Sequence, residues 1–237
     1  MDLKEIDAFG GDIGRHWYYW AKAKAVSKWL GDAQLKTILD VGAGSGFFSS
    51  YLLEHSSAQE AWCVDINYAA DSDTIHSGKP MHFRKSVGQL DAGLVLLMDV
   101  LEHVEDDAGL LMEYAAKVPK GAKILVSVPA FKFLWSGHDV FLGHYRRYTL
   151  KEVQSVFEKA GLSLIDGGYF YGLVFPIAAS IRTVQNIFSK GSEPKSQMQR
   201  HSPLVNSVLK AMCAAELPVM RCNRFAGLTV FCLGEKA

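Results

Sequence analysis

The sequence predicts an α/β fold: a doubly wound, mostly parallel sheet of seven strands with helices on both faces. Three observations predict it. Short apolar runs alternate with stretches of helical periodicity along most of the chain. The first clear run, Thr37–Val41, leads straight into a cluster of glycines and then into a helical pattern. A later run, Leu94–Met98, is apolar without a break, as expected of a strand covered on both faces.

The elements follow in order. Residues 15–30 read as a helix because Trp17, Trp20, Val26 and Trp29 fall near helical spacing, which makes 1–36 an N-terminal helical lid. The helical pattern after the glycines covers 47–53. Residues 61–65 form a second strand and 81–84 a weaker one. Asp106 and Asp107 can cap a helix carrying Leu110, Leu111, Tyr114, Ala115 and Val118 along one side. Pro119, Lys120 and Gly121 break it before a strand at 123–128. Thr149 and Glu152 have capping-box spacing, and Gly161 stands where a left-handed cap ends that helix. Strands at 162–170 and 227–233 complete the sheet. The core is therefore 37–170 closed by 227–237, with 171–226 inserted before the last strand. That insertion is far longer than a loop requires. Ile177, Ile181, Val184 and Phe188 share one helical face, and Leu204, Val208, Leu209 and Met212 share another. The expectation is a two-helix cap, its apolar faces packed on each other and on the sheet, joined by a polar linker at 189–202.

Composition narrows the function classes. Lys plus Arg and Asp plus Glu both number 25, so the net charge is zero and a general nucleic-acid partner is not expected. Cys63, Cys213, Cys222 and Cys232 show no Cys-x-x-Cys spacing, which fits neither a disulfide framework nor a zinc knuckle. The longest apolar stretch, 169–181, contains Pro176 and falls short of the roughly 20 residues a bilayer span needs. With no signal-peptide core at the start, the chain reads as cytoplasmic, without a transmembrane segment. Peripheral membrane contact through 171–226 stays open, as does the oligomeric state.

The strongest chemical signal is DVGAGSG at 40–46. Asp40 and Val41 end a strand, and Gly42, Gly44 and Gly46, with Ala43 between the first two, lead into a helix. Glycine is required where backbone bends sharply and lies directly against a ligand. The first strand-to-helix turn of an open α/β sheet is such a place. The dinucleotide fingerprint Gly-x-Gly-x-x-Gly would need a glycine at Phe47, so the match to it is poor. About 20 residues further on, Asp65 closes the second strand and can accept hydrogen bonds from a ribose diol.

In these motifs the chain resembles the class I S-adenosylmethionine-dependent methyltransferases. DVGAGSG is similar to their first motif, and Asp65 to their acid after the second strand. MDVLEHV at 98–104 resembles the segment after the fourth strand in the branch that includes quinone-biosynthesis methyltransferases. HWYYW at 16–20, VPA at 128–130 and GHYRRYT at 143–149 resemble a group of bacterial small-molecule methyltransferases. The resemblance covers about 15–170 and leaves the cap aside. It implies a Rossmann-like methyltransferase fold, with S-adenosylmethionine as cofactor and S-adenosylhomocysteine as product. Asp40 and the glycines would then hold the methionine end, Asp65 the ribose, and Ile66 the adenine. Asp99 and Val100 would line the pocket's other side. The family's acid after the third strand is missing from 84–88, where Ser86 is the substitute for contacting the adenine amine.

The acceptor side is read from 129–148, at the ligand-binding edge of the sheet. This loop holds Trp135, His138, Asp139, His144, Tyr145, Arg146, Arg147 and Tyr148, a density typical of functional loops. A hydroxyl or protonated amine must lose a proton before it accepts a methyl group, so a base is needed. His144 is the first candidate and His138 the second. Trp135, Asp139, Tyr145, Arg146, Arg147 and Tyr148 are candidates for acceptor contact. His138, Asp139 and His144 do not match a standard metal-ligand spacing, and no metal is expected. Glu102 and His103 read as structural or solvent-facing. The expected activity is methyl transfer to a small-molecule or lipid-like acceptor at O or N. The alternatives are a nicotinamide-dependent oxidoreductase and a non-catalytic S-adenosylmethionine-binding protein.

Overall fold

The computed structural model describes residues 13–188 and 201–237. Most of the polar linker expected at 189–202 and the first 12 residues of the N-terminal segment therefore lie outside the described residues. Helix α1 (Trp17–Leu30) precedes β1 (Thr37–Val41) and α2 (Phe47–His55). Strands β2 (Glu60–Val64), β3 (Ser72–His76), β4 (Lys79–Arg84) and β5 (Leu94–Met98) follow. Next come α3 (Asp107–Ala116), β6 (Lys123–Pro129), α4 (Gly137–Leu142), α5 (Leu150–Lys159) and β7 (Leu162–Phe170). Helices α6 (Phe175–Phe188) and α7 (Pro203–Glu216) form the insertion before β8 (Thr229–Lys236).

The sheet has eight strands in the order β3-β4-β2-β1-β5-β6-β8-β7. Strands β4, β2, β1, β5 and β6 are parallel, and β8 runs antiparallel between β6 and β7. The strand beyond the seven expected is β3, a hairpin partner of β4 at the sheet's edge. Its turn residues Ser77 and Gly78 have φ of 52° and 76°, the pair of positive values that a two-residue hairpin turn requires. Because β3 is almost wholly exposed, it carries no apolar alternation to announce it.

Alternation across the pleat divides the core in two. Ile38, Leu94 and Leu96 face Trp29, Val26 and Leu52 of α1 and α2. Leu39, Val95, Leu97 and Val126 face Leu111, Val153 and Phe157 of α3 and α5. Helix ends behave as their sequences indicate: Asp106 Oδ1 accepts from Gly109 N at 2.8 Å, and Thr149 and Glu152 form a reciprocal capping box. Every strand of the parallel set ends on the same edge, so the turns after β1, β2, β5 and β6 converge there.

The insertion departs from the expected packing. Helix α7 lies on α1, where Asn206 Oδ1 accepts from Trp17 N at 2.8 Å, and Glu216 accepts from Gly172 N at 2.8 Å. Helix α6 lies over the turn Lys132–Leu134. Ile177, Ile181, Leu204 and Val208, expected to pack on each other and the sheet, are instead exposed, from 51% for Val208 to 74% for Leu204. Leu209 and Met212 of the same predicted faces do pack against the core, and the side chains of Val184 and Phe188 lie outside the described residues. Among the described residues no helix is long and apolar enough to cross a membrane.

Candidate active site

The turn after β1 is a backbone cradle. Gly42, Gly44 and Gly46 have φ of 65°, 55° and 72°, the left-handed region that side chains disfavour. A Cβ on Gly42 would lie 2.6 Å from Val100 Cγ2, so the turn after β5 is pressed directly against this loop. Asp65 points toward the cradle: its Oδ2 accepts from Gly44 N at 3.1 Å, and its Oδ1 accepts from Asn67 N and Nδ2. Tyr68 closes the clasp by donating its hydroxyl to Gly44 O at 2.7 Å. Beside Asp65, Ile66 is 83% exposed and offers an apolar surface at the mouth of the loop.

Asp40 lies beneath, buried, accepting from Ser49 Oγ at 2.8 Å. Burial pushes its carboxyl up to about 6, against the opposing bond from Ser49 and with some help from the Asp65 charge. Two acids next to bare backbone make a setting suited to a cationic ligand. Ser86 is exposed in the segment after β4. Asp99 has a positive φ of 56° and accepts from Ser127 Oγ at 3.3 Å.

Sequence reasoning did not anticipate the partner of Asp99. Lys22 reaches it from α1, fully buried, and also donates to the Tyr18 hydroxyl at 3.0 Å. Burial opposes the ammonium charge, but Asp99 and Tyr18 outweigh it and raise the Lys22 pKa. No periodicity marks this lysine, which sits on an otherwise apolar helix face.

The 129–148 loop is built around Asp139. Arg147 donates to both carboxylate oxygens, Nε to Oδ1 at 2.6 Å and Nη2 to Oδ2 at 3.0 Å. Ser136 N donates to Oδ2 at 2.9 Å, and His144 Nδ1 lies 2.9 Å from Oδ1. Although burial opposes it, the bonds from His144 and Arg147 hold Asp139 well below the usual carboxylate range. Since the carboxylate only accepts, His144 Nδ1 carries the hydrogen, and a neutral ring then presents the Nε2 lone pair elsewhere.

Arg146 donates to Val104 O, Glu105 O and Asp107 Oδ2, and Tyr148 donates its hydroxyl to the same Asp107 oxygen at 2.9 Å. Asp139, Arg146, Arg147 and Tyr148 thus stitch the loop to the body, while Tyr145 is exposed and Trp135 half-buried at its surface. His138 is half-buried, and burial with the nearby Arg182 charge pushes it down to about 4. Glu102, expected to be structural or solvent-facing, is only 1% exposed, and the His103 ring meets His144 edge-on at 4.7 Å. A separate cavity of about 210 Å³, lined by Ser27, Leu30, Gln34, Leu52 and His55, lies at the opposite edge of the sheet. It does not adjoin any of these groups.

An open parallel sheet whose first turn is bare backbone, clasped by an acid at the tip of the next strand, defines a protein that binds an adenosine-bearing cofactor. The chain belongs to the methyltransferase-domain family, whose pattern it matches over residues 15–166. It is an S-adenosylmethionine-dependent methyltransferase. The same match displaces the oxidoreductase alternative. No curated protein matches the chain.

Solved structures share the fold at low identity. A Haloferax volcanii protein described as a methyltransferase, in complex with the Trm112 methyltransferase activator, is 17% identical with a TM-score of 0.59, over 99% of this chain and 97% of that one. An Archaeoglobus fulgidus SAM-dependent methyltransferase is 15% identical with a TM-score of 0.55, over 92% and 94%. Haemonchus contortus phosphoethanolamine N-methyltransferase 2, in complex with S-adenosyl-L-methionine, is 14% identical with a TM-score of 0.55, over 100% and 60%.

Proposed function

We propose that the chain methylates a small or lipid-like acceptor, at oxygen or nitrogen, held between the 129–148 loop and the cap. The observation that carries this is His144, aligned by Asp139 on the same sheet edge as the glycine cradle. When bound, S-adenosylmethionine supplies a methyl carbon whose bond to sulfur breaks with both electrons staying on sulfur, leaving S-adenosylhomocysteine. Asp40 and the glycines, Ala43 included, take its methionine end. Asp65 takes the ribose diol, Ile66 covers the adenine, and Ser86 meets the adenine amine. Asp99, fixed by Lys22, and Val100 form the far wall.

The acceptor's lone pair attacks the methyl carbon, and its proton must leave. His144 governs that proton. His138 ranks second, because a group at about 4 is a weak base at neutral pH. Trp135 and Tyr145 are the loop's surface contacts for the acceptor, and the buried Asp139–Arg147 pair keeps them in place. Alignment of this kind is worth several kcal/mol, up to about 7–11 in model reactions. The exposed Ile177, Ile181, Leu204 and Val208 favour an apolar acceptor and peripheral contact with a lipid surface. Four free cysteines fit a reducing compartment, the cytoplasm.

The test is transfer of labelled methyl from S-adenosylmethionine to fractionated cell extract, with mass identification of the product. His144→Ala is expected to slow transfer and spare cofactor affinity; unchanged transfer removes His144 from the reaction. Asp65→Ala is expected to weaken cofactor binding roughly 10- to 100-fold, the loss of hydrogen bonds to a charged group. If broad acceptor fractions yield no labelled product while the cofactor binds, the chain is a non-catalytic binder. Co-sedimentation with liposomes checks the lipid contact.

A further inference from the structure

We propose that Glu102, His103 and His144 hold a divalent transition-metal ion whose open coordination position takes the acceptor's oxygen. This rests on the reading that the acceptor binds at this edge, and it narrows that acceptor to a hydroxyl compound.

The three residues come from two segments that the backbone ties together. Glu102 and His103 occupy the turn Leu101–His103 directly after β5, and Tyr145 N donates to Glu102 O at 2.7 Å, which brings His144 alongside. One ligand atom from each of the three lies within 4.8 Å of the other two. An ion bound at about 2.0–2.2 Å spaces its ligand atoms roughly 3 to 4.4 Å apart, so small side-chain rotations close the site.

The independent observation is Glu102 itself. Both of its carboxylate oxygens are buried, and neither has a hydrogen-bond partner among the described residues. A buried charge without a partner is strongly unfavourable, so this carboxyl needs either a proton or a cation. Two imidazoles within reach supply the other ligands for a cation.

The surroundings match such a site. Asp139 on His144 Nδ1 is the outer carboxylate that orients a ligating histidine and leaves Nε2 for the ion. Two imidazoles with one carboxylate select a borderline ion such as Zn²⁺, Mn²⁺, Co²⁺ or Fe²⁺ over Mg²⁺ or Ca²⁺. Three protein ligands leave a position open, the arrangement of a catalytic rather than a structural centre. A hydroxyl ligated there loses its proton to water more readily, and the resulting oxygen lone pair attacks the methyl carbon. His144 then governs the acceptor's proton as a ligand.

The test uses the full chain, stripped with a chelator and then titrated separately with Zn²⁺, Mn²⁺ and Co²⁺. Expected are about one ion per chain and visible-range absorption bands with Co²⁺. Glu102→Gln, His103→Ala and His144→Ala are each expected to weaken binding by at least about 100-fold, and Asp139→Asn by about 10- to 100-fold. Cofactor affinity in Glu102→Gln should be unchanged, which confirms a folded variant. Should a variant fail to fold, selective Mn²⁺ broadening of the His103 and His144 imidazole resonances in the unaltered protein supports the site. Broadening elsewhere overturns it. An unaltered chain that binds no more of these ions than the Glu102→Gln, His144→Ala double variant also overturns it. Failure to bind S-adenosylmethionine would sink the methyltransferase reading and leave the ion result standing, so the two failures are distinguishable.

Discussion

Two loops meet at the same edge of the sheet and are built in opposite ways. The 42–46 cradle owes its shape to backbone: three positive φ values, an amide donated to Asp65 and a carbonyl capped by Tyr68. The 129–148 loop owes its shape to side chains, with Ser136, His144 and Arg147 all converging on buried Asp139. Backbone presses closely on a ligand but allows almost no substitution. A side-chain network lets an exposed position such as Tyr145 change while the charged centre stays put. That division suits a protein with one fixed cofactor and a separately chosen acceptor.

The largest expected effect is on the side-chain loop. Arg147→Ala leaves Asp139 buried without its two-pronged partner and should cost about 3–5 kcal/mol in denaturant unfolding. A loss below about 1 kcal/mol would mean that other bonds hold the loop. Arg147→Lys should not restore stability, because a single ammonium cannot reproduce both bonds. Next is the backbone loop. Gly42→Ala puts a Cβ 2.6 Å from Val100 Cγ2 at a φ of 65°, and should cost about 1–3 kcal/mol and weaken cofactor binding. Adding Val100→Ala should recover part of that loss. Simple additivity of the two changes would show that the turns after β1 and β5 are not coupled.

The same contrast explains what was legible in the sequence. Backbone-built features leave residue signatures: the three glycines, the unbroken run of β5 and the Thr149–Glu152 cap were all visible as spacing, and Asp65 followed from its place at a strand tip. Side-chain contacts between residues distant in sequence leave none. Nothing near Lys22 names Asp99, and nothing near Glu102 names His144. Strand β3 went unpredicted, since its polar, exposed residues hid it, and its Ser77-Gly78 turn emerged only with the structure. In the insertion, where the helices run Phe175–Phe188 and Pro203–Glu216, periodicity shows only that a face is apolar and not what covers it.

A pH series sharpens the cradle side. Burial lifts Asp40 from 3.8 to about 6, so between these values the folded, cofactor-free chain keeps a proton that the unfolded chain has released. This group's contribution to stability is full below about pH 4 and is lost as pH rises through about 6. On the proposed placement of Asp40 at the cofactor's methionine end, a cationic cofactor reverses the preference by favouring the carboxylate. Cofactor affinity should therefore rise about tenfold per pH unit up to about pH 6 and then level off. Among the described residues Ser49 and Asp65 act on this carboxyl, and Asp40→Asn in calorimetric titration should flatten the profile. A profile already flat between about pH 5 and 7 would separate Asp40 from the cofactor.

The smallest stability effect is expected at the cap, and the comparison is most exposed there. If α6 and α7 form a surface for the acceptor rather than part of the core, Ile181→Ser and Leu204→Ser should change unfolding free energy by no more than about 0.5 kcal/mol. The same substitutions should lower retention on liposomes or transfer to apolar acceptors, because each removes exposed apolar area that only a ligand or lipid can cover. Losses of about 2 kcal/mol or more would show these side chains to be packed, as the periodicity first implied. Unchanged stability together with unchanged transfer and retention would detach the cap from acceptor choice, and leave 129–148 as its sole determinant.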